Sequence, residues 1–444
     1  MSRDGKSYTF RLRKGVKFHD GTPFDAAAVK ATFDRIQEPL GAPGVARAFL
    51  GPYEGADVID ASTVRVRFKQ PYAPFLRMAG LSPLAPLSPT AVKKMGQDFS
   101  RRPIGTGPFM VKEWVSKSHV TLVRNPDYHW APATAAHQGP AYLEEITWRF
   151  VPEATTRTAI LQTGEANISE DLSYADVAAF ERNPDVRVLR GVPAGTPWSL
   201  FPNVQRFPTN DPAVRRALHH AIHKDAVVRV VFHGQSRPAA SLLQPPTPGF
   251  APLANELFPH DAARAKKVLD DAGWKPGPDG IRVKDGKRLE LLWIFGTNNG
   301  YEEMAPLIQA MAREVGMDIQ LREQPRVQMY EAVRKSEHNI GELNWWFPDP
   351  SILTTNFHTS RLHAFNPARL SDPEIDKLLD QAAGMVDEGQ RMELYKKIQR
   401  TLLEMGAGIP LVDQVTIVGV RKEVQAYGFN VVTFPVLYDV HLAK

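Results

Sequence analysis

Asp4-Gly5-Lys6-Ser7-Tyr8-Thr9-Phe10-Arg11-Leu12-Arg13-Lys14-Gly15-Val16-Lys17-Phe18-His19-Asp20-Gly21-Thr22-Pro23-Phe24-Asp25 is the stretch from which the rest of the chain is read. Tyr8, Phe10 and Leu12 alternate with Thr9, Arg11 and Arg13, the period of a half-buried strand. Lys14-Gly15 predicts a turn and Val16 to Phe18 a second short strand, so that the two form a hairpin; Asp20-Gly21 then turns the chain again. Asp25 stands directly before Ala26-Ala27-Ala28-Val29-Lys30, where its carboxylate can cap a helix.

Outward from this opening, short strands and helices alternate. Val58 to Phe68 predicts a hairpin turning at 59–63, and 72–76 and 91–95 predict short helices between proline loops. Phe109 to Val111, Val120 to Arg124 and Ile146 to Phe150 predict strands, followed by helices at 154–163 and 174–182. Phe201 to Pro208 is extended and proline-flanked, and precedes a helix over 212–232 capped by Asp211 with Pro212 in its first turn. Leu289 to Phe295 reads as a buried strand with Ile319 to Glu323 as its partner, and 301–315, 373–385 and 388–404 read as helices. This ordering predicts α/β lobes.

Composition sets the bounds. The 444 residues exceed one ordinary core, so two or three lobes are expected. A hydrophobic share of 43% with 23% charged residues describes a globular chain, and no apolar run approaches the ~18 residues of a spanning helix. The net charge of +5 is scattered in pairs such as Arg101-Arg102 and Lys266-Lys267, which argues for solvated faces and against a nucleic-acid-binding stripe. The absence of cysteine excludes disulfides, thiolate metal sites and cysteine nucleophiles.

The opening stretch also resembles, nearly residue for residue, the signature of the family 5 solute-binding proteins of ABC importers, the peptide, nickel and opine binders. Pro103-Ile104-Gly105-Thr106-Gly107-Pro108-Phe109 is similar to the family's second landmark, and Leu122-Val123-Arg124-Asn125-Pro126-Asp127-Tyr128-His129-Trp130 to its third. Asp211-Pro212-Ala213-Val214-Arg215-Arg216-Ala217-Leu218 resembles its helix after the hinge, so the likeness runs the length of the chain. It implies an α/β, two-lobed periplasmic-binding-protein clamshell (type II-like) with an extra subdomain inserted in the first lobe. The expected division is 1–106 for the subdomain, 107–205 completed by 421–444 for lobe I, and 206–420 for lobe II, hinged near Asn203. It further implies a substrate-binding component of an ABC importer, periplasmic or extracytoplasmic, that delivers a small solute (peptide, opine, sugar-like or metal-chelate) from an interlobe cleft to the membrane permease subunits. A monomer without a cofactor and without enzymatic activity is expected. Family members place a signal peptide and several strands before the Asp4-Gly5 landmark, so the chain is expected to be N-terminally truncated.

The sharpest candidate for chemistry is Glu342-Leu343-Asn344-Trp345-Trp346-Phe347-Pro348-Asp349-Pro350. Three consecutive aromatics cannot all face one core from a strand, so at least one points elsewhere. Aromatic surfaces bury large area with few rotors to freeze, which suits a ligand wall. The resemblance places this element in the cleft, where the family pattern is W-x-x-D-Y-x-D-P and its first Asp neutralises a peptide's free amine. Here Trp346 stands where that Asp would be and Leu343 at the first aromatic position. A buried ammonium without a counter-charge costs several kcal/mol, so an ordinary di- or tripeptide is not expected. Candidate ligand contacts are Asn344, Trp345, Trp346, Phe347, Asp349, Trp198 and His363; for Asp349, capping the next helix competes with ligand contact.

His219, His220 and His223 invite a metal reading, since 219 and 223 are one helical turn apart. The apolar stripe Val214, Ala217, Leu218, Ala221 and Ile222 predicts them on the opposite, wet side, and no metal site is assigned. No GxSxG elbow, phosphate loop or HExxH motif is present. A ligand sensor for signalling shares all these residues, and a hydrolase on the same scaffold would need a perturbed nucleophile or acid–base pair.

Overall fold

In the computed structural model, which describes residues 1–38, 44–297 and 300–443, the opening strand Ser7–Arg11 does not fold back on the residues after Lys14-Gly15. It pairs antiparallel with Thr63–Phe68, with Tyr8 opposite Val66 and Phe10 opposite Val64, and Tyr53–Asp60 flanks that strand on its other side. The reason is burial. Val64, Val66 and Phe68 offer Tyr8 a solvent-free face, which three residues after a turn cannot match. Val16 to Phe24 instead closes a loop, through Phe18 N–H to Thr22 O and Phe24 N–H to Val16 O. Asp25 caps the helix Ala26–Gln37 as expected, accepting from Ala28 N–H at 2.9 Å.

The chain divides into two compact units: 1–190 with 383–386 and 417–444, and 191–382 with 387–416. Besides the opening sheet, the first unit holds an antiparallel meander of Phe109–Val115, His119–Arg124 and Glu145–Arg149. It also holds a small sheet in which the returning strand Thr416–Arg421 lies between Ile168–Ser169 and Val186–Gly191. The chain crosses between the units at 190/191, 382/383, 386/387 and 416/417. Trp198–Pro202 is no free crossover, because it is hydrogen-bonded on both sides within the second unit. Asn203 is fully buried there, its amide donating to His338 O and Ser336 Oγ.

The second unit is built on a five-stranded sheet in the order Asp318–Gln324, Glu290–Gly296, Ile340–Glu342, Trp198–Pro202, Ile409–Val412. Glu290–Gly296 is parallel to both its neighbours, which reach it through the helices Tyr301–Glu314 and Arg326–Arg334. Being covered on both faces, its Leu291, Trp293 and Ile294 are fully buried, as a nearly continuous apolar run predicts. Trp198–Pro202 is antiparallel to Ile340–Glu342 and to Ile409–Val412.

The helix expected over 212–232 is two helices, Pro212–Ala221 and Lys224–Val230. Ile222 is extended, and the His223 ring accepts from Ala226 N–H as an N-cap. The histidines are not on a wet face: His219 and His220 are 1% and 2% exposed. Residues 254–260 cover them, with Phe258 stacked 4.2 Å from His219 and Pro259 O 2.8 Å from His220 Nδ1. A helical stripe reports the strongest apolar face and is silent on a loop that closes over the other side. Among the described residues no helix is long and apolar enough to cross a membrane.

Candidate functional site

The strand directions put several chain segments along one edge of the five-stranded sheet. The carboxyl ends at Gly296, Gln324, Glu342 and Val412 lie beside the amino end of the antiparallel strand at Trp198. In open α/β sheets that edge is where ligands bind, because the connections there leave a crevice lined by loop side chains.

The aromatic segment runs straight out of the Ile340–Glu342 strand at this edge. Its backbone pairs with the residues before Trp198: Thr196 N–H donates to Trp345 O at 2.9 Å, Trp345 N–H to Thr196 Oγ1 at 2.9 Å, and Phe347 N–H to Ala194 O at 2.8 Å. The approach is so close that a Cβ on Gly195, whose φ is +137°, would stand 1.9 Å from Trp345 O. Only glycine fits there.

Alternation along this extended segment sorts the three aromatics. Leu343 and Phe347 point into the core at 4% and 6% exposure, while Trp346 points outward and is 46% exposed. Trp345 is half-buried with its ring edge-on to Phe365 at 5.3 Å and 88°. The outward Trp346 is nevertheless anchored, its indole Nε1–H donating to Gln414 Oε1 at 2.9 Å. Asn344 donates to the same oxygen at 3.3 Å. Trp198 is half-buried and packs edge-on to Tyr301 at 5.1 Å, and the Tyr301 hydroxyl donates to Ser199 O at 2.9 Å. Burial and the nearby Glu342 carboxylate hold the Tyr301 hydroxyl well above its usual pKa, so it stays a proton donor.

The sequence-derived candidates therefore separate. Asn344, Trp345, Trp346 and Trp198 share the sheet edge, with Phe347 beneath it. His363 is exposed on the turn that leads to Phe365. Asp349 departs from the expectation of ligand contact: it is fully buried, and Arg391 takes both its oxygens, Nη2 at 2.5 Å from Oδ1 and Nη1 at 3.0 Å from Oδ2. Asp349 Oδ1 also accepts from Ser351 N–H at 2.9 Å, which opens the next helical turn. Burial works to raise its pKa, and the paired guanidinium overcomes that and holds it below the ordinary carboxylate value. Arg391 lies 42 residues away on the helix Glu388–Glu404, so nothing in the local sequence announced the pair.

Gln414 and Gln244 are the residues that sequence reading missed. Both are buried, carry no motif, and matter only because the fold brings them beside the wall. Next to Gln414, Asp413 is 7% exposed and its pKa is pushed up to about 6 by burial, against the opposing pull of Arg237 and Lys224. Lys224, equally buried, is brought down to about 8 by the same loss of solvent. Its ammonium donates to Ala239 O at 3.1 Å and Asn255 Oδ1 at 3.3 Å. Among the described residues no three His, Cys, Asp or Glu side chains come together as a metal would require.

The model of the bacterial extracellular solute-binding proteins, family 5 middle, matches residues 1–362. The chain is 30% identical over 456 residues to the glutathione-binding protein GsiB of Escherichia coli O1:K1, covering 99% of this chain and 82% of that protein. Among solved structures it is similar to NikA from Brucella suis in complex with Fe(III)-EDTA, with a TM-score of 0.84 and 29% identity over 97% of this chain and 86% of that one. The dipeptide binding protein from Pseudoalteromonas sp. SM9913 in complex with Met-Leu superposes with a TM-score of 0.83 at 25% identity, covering 100% of this chain and 89% of that one. These matches give the fold class: α/β, of the two-lobed binding-protein kind.

Proposed function

As a member of the family 5 bacterial extracellular solute-binding proteins, the chain is the substrate-binding component of an ABC importer, and we propose that it holds its solute against the edge of the five-stranded sheet. The wall consists of Asn344, Trp345, Trp346 and Trp198 over Phe347, with His363 on the turn that ends in Phe365. The observation that carries this reading is Trp346: a large indole left 46% exposed at the carboxyl edge of the sheet and yet fixed by a hydrogen bond. An immobilised aromatic face open to solvent suits stacking on a flat molecule.

The solute is a peptide-like or other small organic molecule with an apolar, aromatic or sugar-like face. Trp346 occupies the family's position for the carboxylate that meets a peptide's terminal ammonium, and Asp349 is committed to Arg391. The relative named for glutathione makes that compound the first probe; its amine sits on a γ-linked arm and not beside the first peptide bond. The protein works outside the cytoplasm as a monomer that hands its cargo, unaltered, to ABC permease subunits.

Calorimetry tests this with glutathione, Met-Leu, free-amine tripeptides and opines. Trp346→Ala is expected to lose about 1–3 kcal/mol of binding, the cost of truncating an aromatic anchor. Submicromolar binding of ordinary α-linked di- or tripeptides with a free amine, or chemical turnover of the bound solute, would overturn it.

A further inference from the structure

We propose that Gln414 is a positioning residue for this wall, which fixes the Trp346 indole and ties it to two of the four segments by which the chain passes between its two units. The inference rests on the proposed role of Trp346 as a solute contact. The chain passes between units at 190/191, 382/383, 386/387 and 416/417, and the first and last of these flank the brace. Gln414 lies two residues before the last passage, and Pro193 to Thr196 lie just after the first.

One amide serves all three parties. Gln414 Oε1 accepts from Trp346 Nε1 at 2.9 Å and from Asn344 Nδ2 at 3.3 Å, while its Nε2 donates to Thr196 O at 2.5 Å. Its backbone N–H donates to Gln244 Oε1 at 2.6 Å. Gln244 continues the brace, with Nε2 to Pro193 O and backbone N–H to Gly195 O, both at 2.8 Å. Two donors on one side and a carbonyl on the other dictate which way the Gln414 amide faces. A carboxylate would set an oxygen against Thr196 O, and an apolar residue would leave the buried carbonyl and the indole N–H unmatched. Only a primary amide of this length satisfies both sides.

Two consequences follow from the geometry. The outward indole is held in one orientation before any solute arrives. The indole has only two torsions to freeze, so holding it in place beforehand saves roughly twofold to threefold in affinity. A solute that shifts Trp346 also loads the first and last of these passages together, through Thr196 on one side and Gln414 itself on the other.

The test reads the indole directly. In 15N-labelled full-length protein, the Trp346 Nε1–H resonance is identified by its loss in Trp346→Phe. Gln414→Leu should shift that resonance and speed its hydrogen exchange at least tenfold. Gln414→Glu keeps the acceptor and should restore indole protection while loosening the Thr196 side. In glutathione titrations, Gln414→Leu should weaken binding about twofold to threefold, and Trp346→Ala more. Unchanged indole exchange in Gln414→Leu overturns the positioning role whether or not glutathione binds. Normal glutathione binding by Trp346→Ala overturns the site reading instead, and indole exchange in Gln414→Leu still judges the brace.

Discussion

Replacing Asp349 by Asn tests whether the carboxylate beside the aromatic wall is part of the scaffold and not of the binding surface. Arg391 and Asp349 are 1% and 0% exposed at the side chain, and the guanidinium makes two short contacts to the carboxylate. Arg391 Nε is already committed to Ala382 O at 3.0 Å, and its guanidinium lies 5.3 Å from the Tyr395 ring. It therefore has no route to water once its partner is neutral. Removing one member of such a pair strands the other charge and costs about 3–5 kcal/mol. The double replacement Asp349→Leu with Arg391→Met removes both charges and is expected to lie within about 2 kcal/mol of the parent, so the cycle isolates the coupling. Urea unfolding, with hydrogen exchange to isolate residues 191–382 and 387–416, supplies the measurement. The carboxyl is held below its ordinary value of 3.8. Its contribution is thus fully present above that value and is lost as pH falls through the folded pKa, so the penalty of Asp349→Asn should be flat from pH 8 to 5 and shrink only in stronger acid. A penalty under about 1 kcal/mol, or a selective loss of solute binding with stability intact, refutes the reasoning.

Gly195→Ala combines a φ of +137° with a Cβ 1.9 Å from Trp345 O, and should cost about 2–5 kcal/mol and blunt solute binding. Gly280→Ala, also at positive φ but facing open space, is the control at about 1–2 kcal/mol; equal denaturant midpoints for the two variants would contradict the close approach. Asp413, raised to about 6, favours the protonated folded state. Its penalty is absent below about pH 4, grows as pH rises from 4 to 6, and reaches about 3 kcal/mol above that. Asp413→Asn should flatten that part of the stability–pH curve, and an unchanged slope between pH 4 and 6 counts against the assignment. Burial and the neighbouring Lys224 hold His219 well below its usual range, so stability should drop as pH falls below 6.5. His219→Phe, which keeps the stack on Phe258, should remove its share of that drop and leave the share of the likewise depressed His220 and His338, as thermal melts at pH 5 and 7 would show.

How much of this was legible beforehand differs by element. Period-two and period-3.6 patterns located the strand at Ser7–Arg11, the cap at Asp25 and the central strand at Glu290–Gly296, because in each the local preference and the burial agree. The pairing of Ser7–Arg11 with Thr63–Phe68 was hidden, since a strand's partner is chosen by long-range burial that the turn at Lys14-Gly15 does not report. The same limit misplaced His219, which a loop 40 residues on covers, and hid the pairing of Trp198–Pro202 with strands from 340 and 409. At the candidate site, the outward turn of one aromatic among three followed from strand geometry alone. The fate of Asp349 and the existence of the Gln414 brace depended on partners 42 and 68 residues away, and amide and carboxylate partners leave no periodic trace.

The short run between Gly195's backbone contact and the Asp349–Arg391 pair has a consequence for how such proteins diversify. It is clamped at both ends through backbone and buried charge, much as a cartridge is held by its housing. On the site reading proposed above, exchange of Asn344, Trp345 and Trp346, with Gln414 to match, would retarget the cargo while the clamps stay intact, so a lineage could change diet through a handful of codons, and a designer could do the same.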